Sequence, residues 1–179
     1  HSSAASDVYK RQGFAPDLKT NEEALNLILD SITLAGYEPG KNIFLALDVA
    51  SSELYNQGKY SYDNELLSSS ELIGVYKDLT SKFPIISIED PLDEDDWESW
   101  KSITKSLGNS IQLVGDDLFV TNKSKLQMGI DTNAANSILV KINQIGSISE
   151  TLDTINMAKN NNYSYIISHR SGETEDSSI

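Results

Sequence analysis

The sequence contains no cysteine, so it can form neither disulfides nor thiolate metal sites and has no cysteine nucleophile. Basic residues are scarce as well, since 14 Lys and Arg accompany 27 Asp and Glu, for a net charge of −13. Nucleic acids and anionic membrane surfaces bind basic patches, so neither is an expected partner of this chain. An acidic chain of this kind is suited to binding cations.

Long apolar runs are also absent. No run approaches the roughly 18 residues of a membrane-spanning helix, so we expect no membrane insertion. A length of 179 residues with 39% hydrophobic residues is enough for one domain with a sizeable core. Residues 1–12 show no helix or strand period, and we interpret them as a tail produced by cloning or sequencing. The folded domain is then expected to cover residues 13–179.

The sequence does contain a regular alternation of short apolar runs and amphipathic helices. The runs are near-continuous, which is typical of strands buried on both faces of a parallel sheet, and they cover residues 43–47, 85–88, 111–114, 138–140 and 165–167. Capping boxes predict helix starts at Thr20 with Glu23, Ser68 with Glu71 and Ser147 with Glu150. This order predicts an α/β fold of parallel strands joined by helical crossovers.

Two architectures fit this alternation, a doubly wound open sheet and a (β/α)8 TIM-type barrel. A complete barrel usually needs about 250 residues, so about five β/α units would form a partial barrel, truncated at both ends. The longer connection at residues 50–63 predicts an inserted hairpin. An apolar stripe of Ile148, Leu152 and Ile155 predicts the buried face of the last helix.

Each apolar run ends in polar or charged residues, which are Asp48, Glu89, Asp116, Lys141 and the group Ser168, His169 and Arg170. Parallel strands place their carboxyl ends on one side of a sheet, where sites of α/β proteins lie. Singly, these residues have structural interpretations: a turn cap, a helix cap, a rim histidine, or a lysine in a structural ion pair. Because the pattern recurs at all five strands, a shared site is favoured.

The residue types predict a hard cation and a base. Three carboxylates without a thiolate favour Mg²⁺ over Ca²⁺. A lysine that leaves a buried strand is costly unless it is paired or its lowered pKa is useful, so Lys141 is a candidate base. A metal beside a lysine can remove a proton next to a carboxylate. Arg170 and Ser171 are suited to binding a phosphate or carboxylate.

Several longer motifs resemble enolase, the phosphopyruvate hydratase of glycolysis and a known pairing of a lysine base with Mg²⁺. They occur in the expected order from Gly13 to Ile179, as GFAPDLK at 13–19, LDVASSE at 47–53, SIEDP at 87–91, DDW at 95–97, GDDLFVTN at 115–122, NQIGS at 143–147 and SHRSGETED at 168–176.

The resemblance implies a cytoplasmic, Mg²⁺-dependent lyase that interconverts 2-phosphoglycerate and phosphoenolpyruvate in glycolysis and gluconeogenesis. For the full-length family it also implies a homodimer. The three Mg²⁺ ligands would be Asp48, Glu89 and Asp116, and Lys141 would be the catalytic base. The substrate would be held by Glu89, Asp116, Lys141, Ser168, His169, Arg170 and Ser171, with Arg170 and Ser171 on its phosphate.

The sequence also departs from the family pattern. Arg11 and Gln12 replace the end of a Gly-Asp-Glu-Gly motif that carries the general acid in the family. The family's N-terminal domain with its mobile serine loop, a second active-site lysine and the final helices have no counterpart. We therefore expect a barrel segment that is inactive alone. The alternatives are a related metal-dependent epimerase or sugar-acid dehydratase, and a non-catalytic fragment that binds an ion or a protein.

Overall fold

The computed structural model describes residues 16–168, in which helices and strands alternate. The helices are α1 (Asn21–Leu34), α2 (Ser69–Lys82), α3 (Trp97–Leu107), α4 (Lys123–Thr132), α5 (Ile142–Ile145) and α6 (Ile148–Asn160). The strands are β1 (Leu45–Asp48), β2 (Tyr55–Asn56), β3 (Lys59–Tyr62), β4 (Glu65–Leu67), β5 (Ile85–Glu89), β6 (Gln112–Gly115), β7 (Ser137–Val140) and β8 (Ser164–Ile167).

Five strands form one parallel sheet in the order β1, β5, β6, β7 and β8. Each of these strands therefore pairs with the next one along the chain. A doubly wound sheet would reverse its order at a switch point, and the described residues contain no such reversal. The predicted α/β fold with parallel strands is confirmed, and the sequential order is that of a segment of a (β/α)8 barrel.

Strand β7 is buried on both faces, as its unbroken apolar run predicts, whereas Ile86 of β5 is 49% exposed. All four residues of β7 are buried, and Ile88 of β5 and Leu113 of β6 have no exposed surface. The edge strand β8, in contrast, contains no fully buried residue. The core of the described residues thus lies between the central strands and the helices that cover them.

Polar side chains begin the helices where the sequence predicts. Ser68 and Glu71 form a complete capping box, in which the Ser68 side chain accepts the Glu71 N–H and the Glu71 carboxylate accepts the Ser68 N–H. Thr20 and Ser147 likewise accept the N–H of the glutamate three residues further on. These hydrogen bonds satisfy donors of the first helical turn that have no partner within the helix.

The connection after β1 contains more structure than the predicted hairpin. Strands β2, β3 and β4 form a three-stranded antiparallel sheet. The third strand, β4, lies beyond residue 63, where the predicted hairpin ends. Tyr60 of β3 is fully buried, and its hydroxyl accepts the Asp93 N–H at 2.9 Å. This contact fixes the small sheet against the loop that follows β5.

The predicted buried face of the last helix, α6, is wrong. Ile148 and Leu152 are 58% and 48% exposed, and only Ile155 of the predicted stripe is buried. The buried face instead includes Thr151 and Thr154, whose hydroxyls donate to the carbonyls of residues 147 and 150, four positions earlier. Because the helix satisfies these hydroxyls itself, threonines can be buried there without an unpaired polar group.

None of the helices within residues 16–168 combines the length and apolar character needed to cross a membrane.

Two glycines make room for the ring of Phe119, which is fully buried. A Cβ atom added at Gly115 would lie 2.6 Å from the ring, and one added at Gly129 would lie 2.5 Å from it. The ring also lies 6.2 Å from that of Trp97 and 6.4 Å from that of Tyr163, measured between centroids. Phe119 therefore has little space into which it could move.

We predict that Gly129→Ala destabilises the protein although glycine lies within a helix. Overpacking a well-filled core costs about 1–3 kcal/mol, which exceeds the gain of about 1 kcal/mol from the helix propensity of alanine. The matched control is Gly74→Ala in α2, where an added Cβ has no neighbour within 4 Å, so stability should rise. Urea denaturation of the two variants measures both effects, and equal stabilisation by both would contradict the packing at Phe119.

Candidate functional site

The carboxyl ends of the five parallel strands bring the predicted polar residues to one edge of the sheet. Asp48 and Glu89 are register partners at the ends of β1 and β5. Asp116 follows β6 directly, and Lys141 follows β7. Ser168 follows β8, and its N–H donates to the carbonyl oxygen of Val140 at 2.9 Å. The predicted residues His169, Arg170 and Ser171 lie outside the described residues.

Three carboxylates at this edge form a cluster that could hold a metal ion. Glu89, Asp90 and Asp116 each offer an oxygen, and these oxygens lie within 4.8 Å of one another. Asp90 and Asp116 are buried, and Glu89 is partly buried. Carboxylate oxygens are the ligands that Mg²⁺ and Ca²⁺ prefer, so the residues fit a hard divalent cation.

Asp90 is a member of this cluster that the sequence did not indicate as a candidate ligand. Its side chain is engaged by backbone donors, because Oδ1 accepts the Asp116 N–H and Oδ2 accepts the Asp117 N–H, both at 2.9 Å. Its φ of 41° lies in the left-handed region, which no simple sequence pattern predicts for an aspartate before a proline. Asp90 thus positions the loop after β6 and has less capacity left for a cation than its location suggests.

The pKa of Asp90 is raised to about 7, chiefly by burial and also by the negative charges of Asp117 and Asp116, while the two backbone hydrogen bonds lower it. The pKa of Asp117 is also raised, first by burial and then by the charge of Asp116. Lys141 lowers the pKa of Asp117, whereas Asp48 raises it. The site therefore concentrates negative charge, which a cation would stabilise.

Asp48 lies beside the cluster and does not belong to it. It is exposed, although its pairing with Glu89 places it at the neighbouring strand end. Its charge also acts on Asp117. The role of Asp48 as a metal ligand stays a prediction.

Lys141 forms a buried ion pair with Asp116. The Lys141 Nζ contacts Asp116 Oδ2, and the two side chains are only 15% and 10% exposed. The structural alternative considered from the sequence, an ion pair with a neighbouring carboxylate, is thus present in the structure. The same contact places an amine beside the carboxylate cluster, which is the arrangement that a metal-assisted proton abstraction requires.

Comparison with protein-family models identifies the family to which the chain belongs. Residues 1–179 match the model described as enolase, C-terminal TIM barrel domain. The match takes in residues 1–12, whose assignment to a separate tail stays a prediction. It agrees with the sequential parallel sheet and with the motifs at the strand ends. The chain belongs to the family of enolase C-terminal TIM barrel domains.

Proposed function

We propose that this chain provides the metal-binding and proton-abstracting part of an enolase, which interconverts 2-phosphoglycerate and phosphoenolpyruvate with Mg²⁺. The observation that carries the proposal is the contact between Lys141 and Asp116 at the edge of the acidic cluster. Family membership supports the substrate assignment. Both the substrate and the chain are negatively charged and repel each other, so a cation is needed to bring the substrate carboxylate to this edge.

Asp48, Glu89 and Asp116 would hold the Mg²⁺. When bound, the ion supplies positive charge that offsets the second negative charge developing on the substrate carboxylate as the C2 proton leaves. Lys141 accepts that proton. The side chain is nearly buried, so little water reaches the amine. Loss of the C3 hydroxyl needs a general acid, and the family resemblance places that acid before Gly13.

Residues 168–171 would hold the rest of the substrate. Ser168 reaches the same edge as Lys141, because β7 and β8 are register partners up to Val140 and Ile167. The guanidinium of Arg170 and the hydroxyl of Ser171 suit the phosphate, as the resemblance implies. A phosphorylated substrate would therefore extend from the acidic cluster toward the end of β8.

The first test is removal of the amine from Lys141. In the complete gene product, Lys141→Met should lower the exchange of the C2 proton of 2-phosphoglycerate with deuterated solvent by about 10²–10⁴-fold, the usual contribution of a general base. Exchange is measured by NMR of the recovered substrate, because it reports proton removal even when the hydroxyl does not leave.

The control for this variant is Lys77→Met, which changes an exposed lysine of α2. It should leave the exchange rate unchanged. Retained exchange in Lys141→Met would exclude Lys141 as the base. A wild-type protein that exchanges the proton of a non-phosphorylated sugar acid and not that of 2-phosphoglycerate would favour the related dehydratases.

The second test separates metal ligands from the residue that positions the loop. Glu89→Gln, Asp116→Asn and Asp48→Asn should each weaken Mg²⁺ binding at least about tenfold in calorimetry, as loss of groups around a metal commonly does. Asp90→Asn should retain Mg²⁺ binding and lower the free energy of unfolding by about 1–3 kcal/mol, because one backbone N–H loses its acceptor.

The exposed Asp95 supplies the control for charge alone, and Asp95→Asn should change neither property. If Asp90→Asn abolished Mg²⁺ binding while Asp48→Asn did not, the third ligand would be Asp90, and the assignment of Asp48 would be wrong.

A further inference from the structure

Thr121 and Gln144 connect the two ends of Lys141 through a ring of hydrogen bonds. The Thr121 hydroxyl accepts the Lys141 N–H at 2.9 Å and lies 2.6 Å from Gln144 Oε1. Gln144 Nε2 lies 3.5 Å from Asp116 Oδ1, and the other oxygen of Asp116 contacts Lys141 Nζ. The lysine is thus held by its backbone at one end and, through Gln144 and Asp116, by its amine at the other.

The chemistry of these groups sets the direction of each hydrogen bond. An ionised carboxylate only accepts, so Gln144 must turn its NH₂ group toward Asp116 and its carbonyl toward Thr121. The Thr121 hydroxyl has one proton, which it donates to that carbonyl, while its lone pair accepts the Lys141 N–H. Each member therefore has a defined partner, and loss of the Thr121 hydroxyl would release the Gln144 amide.

The backbone at Val120 and Thr121 adopts a strained conformation. Val120 has a φ of 43° and Thr121 a φ of 56°, a region that β-branched residues rarely enter. Thr121 is fully buried, and its carbonyl oxygen lies 3.3 Å from the Thr154 hydroxyl oxygen. Strain of this kind persists where surrounding contacts hold it, and it is concentrated at functional sites. Here it sets the direction of the Thr121 side chain.

We propose that Thr121 and Gln144 are positioning residues for proton abstraction by Lys141. Thr121 fixes the point where the lysine leaves β7, and Gln144 fixes the Asp116 carboxylate that the amine contacts. A small displacement of a reacting group can slow a reaction greatly, so a residue that touches no substrate can still affect the rate. The inference rests on the proposed function, since it takes Lys141 as the base.

The test uses Thr121→Val in the complete gene product, because valine keeps the β-branched shape and loses only the hydroxyl. We expect kcat for exchange of the C2 proton to fall about tenfold or more, with KM for 2-phosphoglycerate and Mg²⁺ affinity within about twofold of wild type. Thr121→Ser, which keeps the hydroxyl, should restore most of kcat. Gln144→Leu should reproduce the loss, and the double variant should lose little more than either single variant, as expected for coupled residues.

Thr151→Val is the matched control. It removes another buried threonine hydroxyl, which donates only within α6 to the Ser147 carbonyl at 2.9 Å, and kcat should not change. Thermal melts confirm that each variant is folded. An unchanged kcat in Thr121→Val, an equal loss in Thr121→Ser, or an effect confined to KM would overturn the inference. Exchange of the C2 proton by the wild type would in that case leave the proposed function intact. Absence of exchange in the wild type would overturn both.

Discussion

The site depends on Asp90, which ties together the ends of three neighbouring strands. Its carboxylate accepts the N–H groups of Asp116 and Asp117 after β6. Its own N–H donates to the Val114 carbonyl, and its carbonyl accepts the Ser51 N–H beyond β1. Asp90 itself follows β5. These contacts set the position of the loop that carries Asp116 relative to Glu89, and therefore the spacing of the two carboxylates.

This arrangement also accounts for the buried lysine. Burying an ion pair is costly unless further hydrogen bonds satisfy the charged groups. Asp116 receives the Lys141 amine on one oxygen and lies near the Gln144 amide with the other. The charges of Asp117 and Asp116 raise the pKa of Asp90, and the charge of Asp116 raises the pKa of Asp117, so Lys141 offsets only part of the charge at this edge. A divalent cation would offset the rest, and the same cluster would therefore favour both a lysine and a metal.

The strands and the convergence of Glu89, Asp116 and Lys141 were predictable because both follow from simple patterns: a buried run of apolar residues, then a polar residue at its carboxyl end. The position of Asp90 was not, because it depends on a left-handed backbone before a proline and on donors 26 and 27 residues away. The buried face of α6 was also missed. Hydropathy favoured Ile148 and Leu152, whereas Thr151 and Thr154 pair with their own helix and can be buried.

Core packing also fixes the loop after β6, which carries residues of the site. Its first residues are fixed by Asp90, and its end is fixed by Asn122, which accepts N–H groups at the start of α4. Between them Phe119 fills the space left by Gly115 and Gly129. With both ends and its middle held, the loop has no means of relaxing the left-handed backbone at Val120 and Thr121. The strain is therefore maintained by packing, and it keeps the Thr121 hydroxyl against the Lys141 N–H. Gly129 of α4 thus contributes to the geometry at Lys141, because it leaves room for the Phe119 ring that packs against the loop.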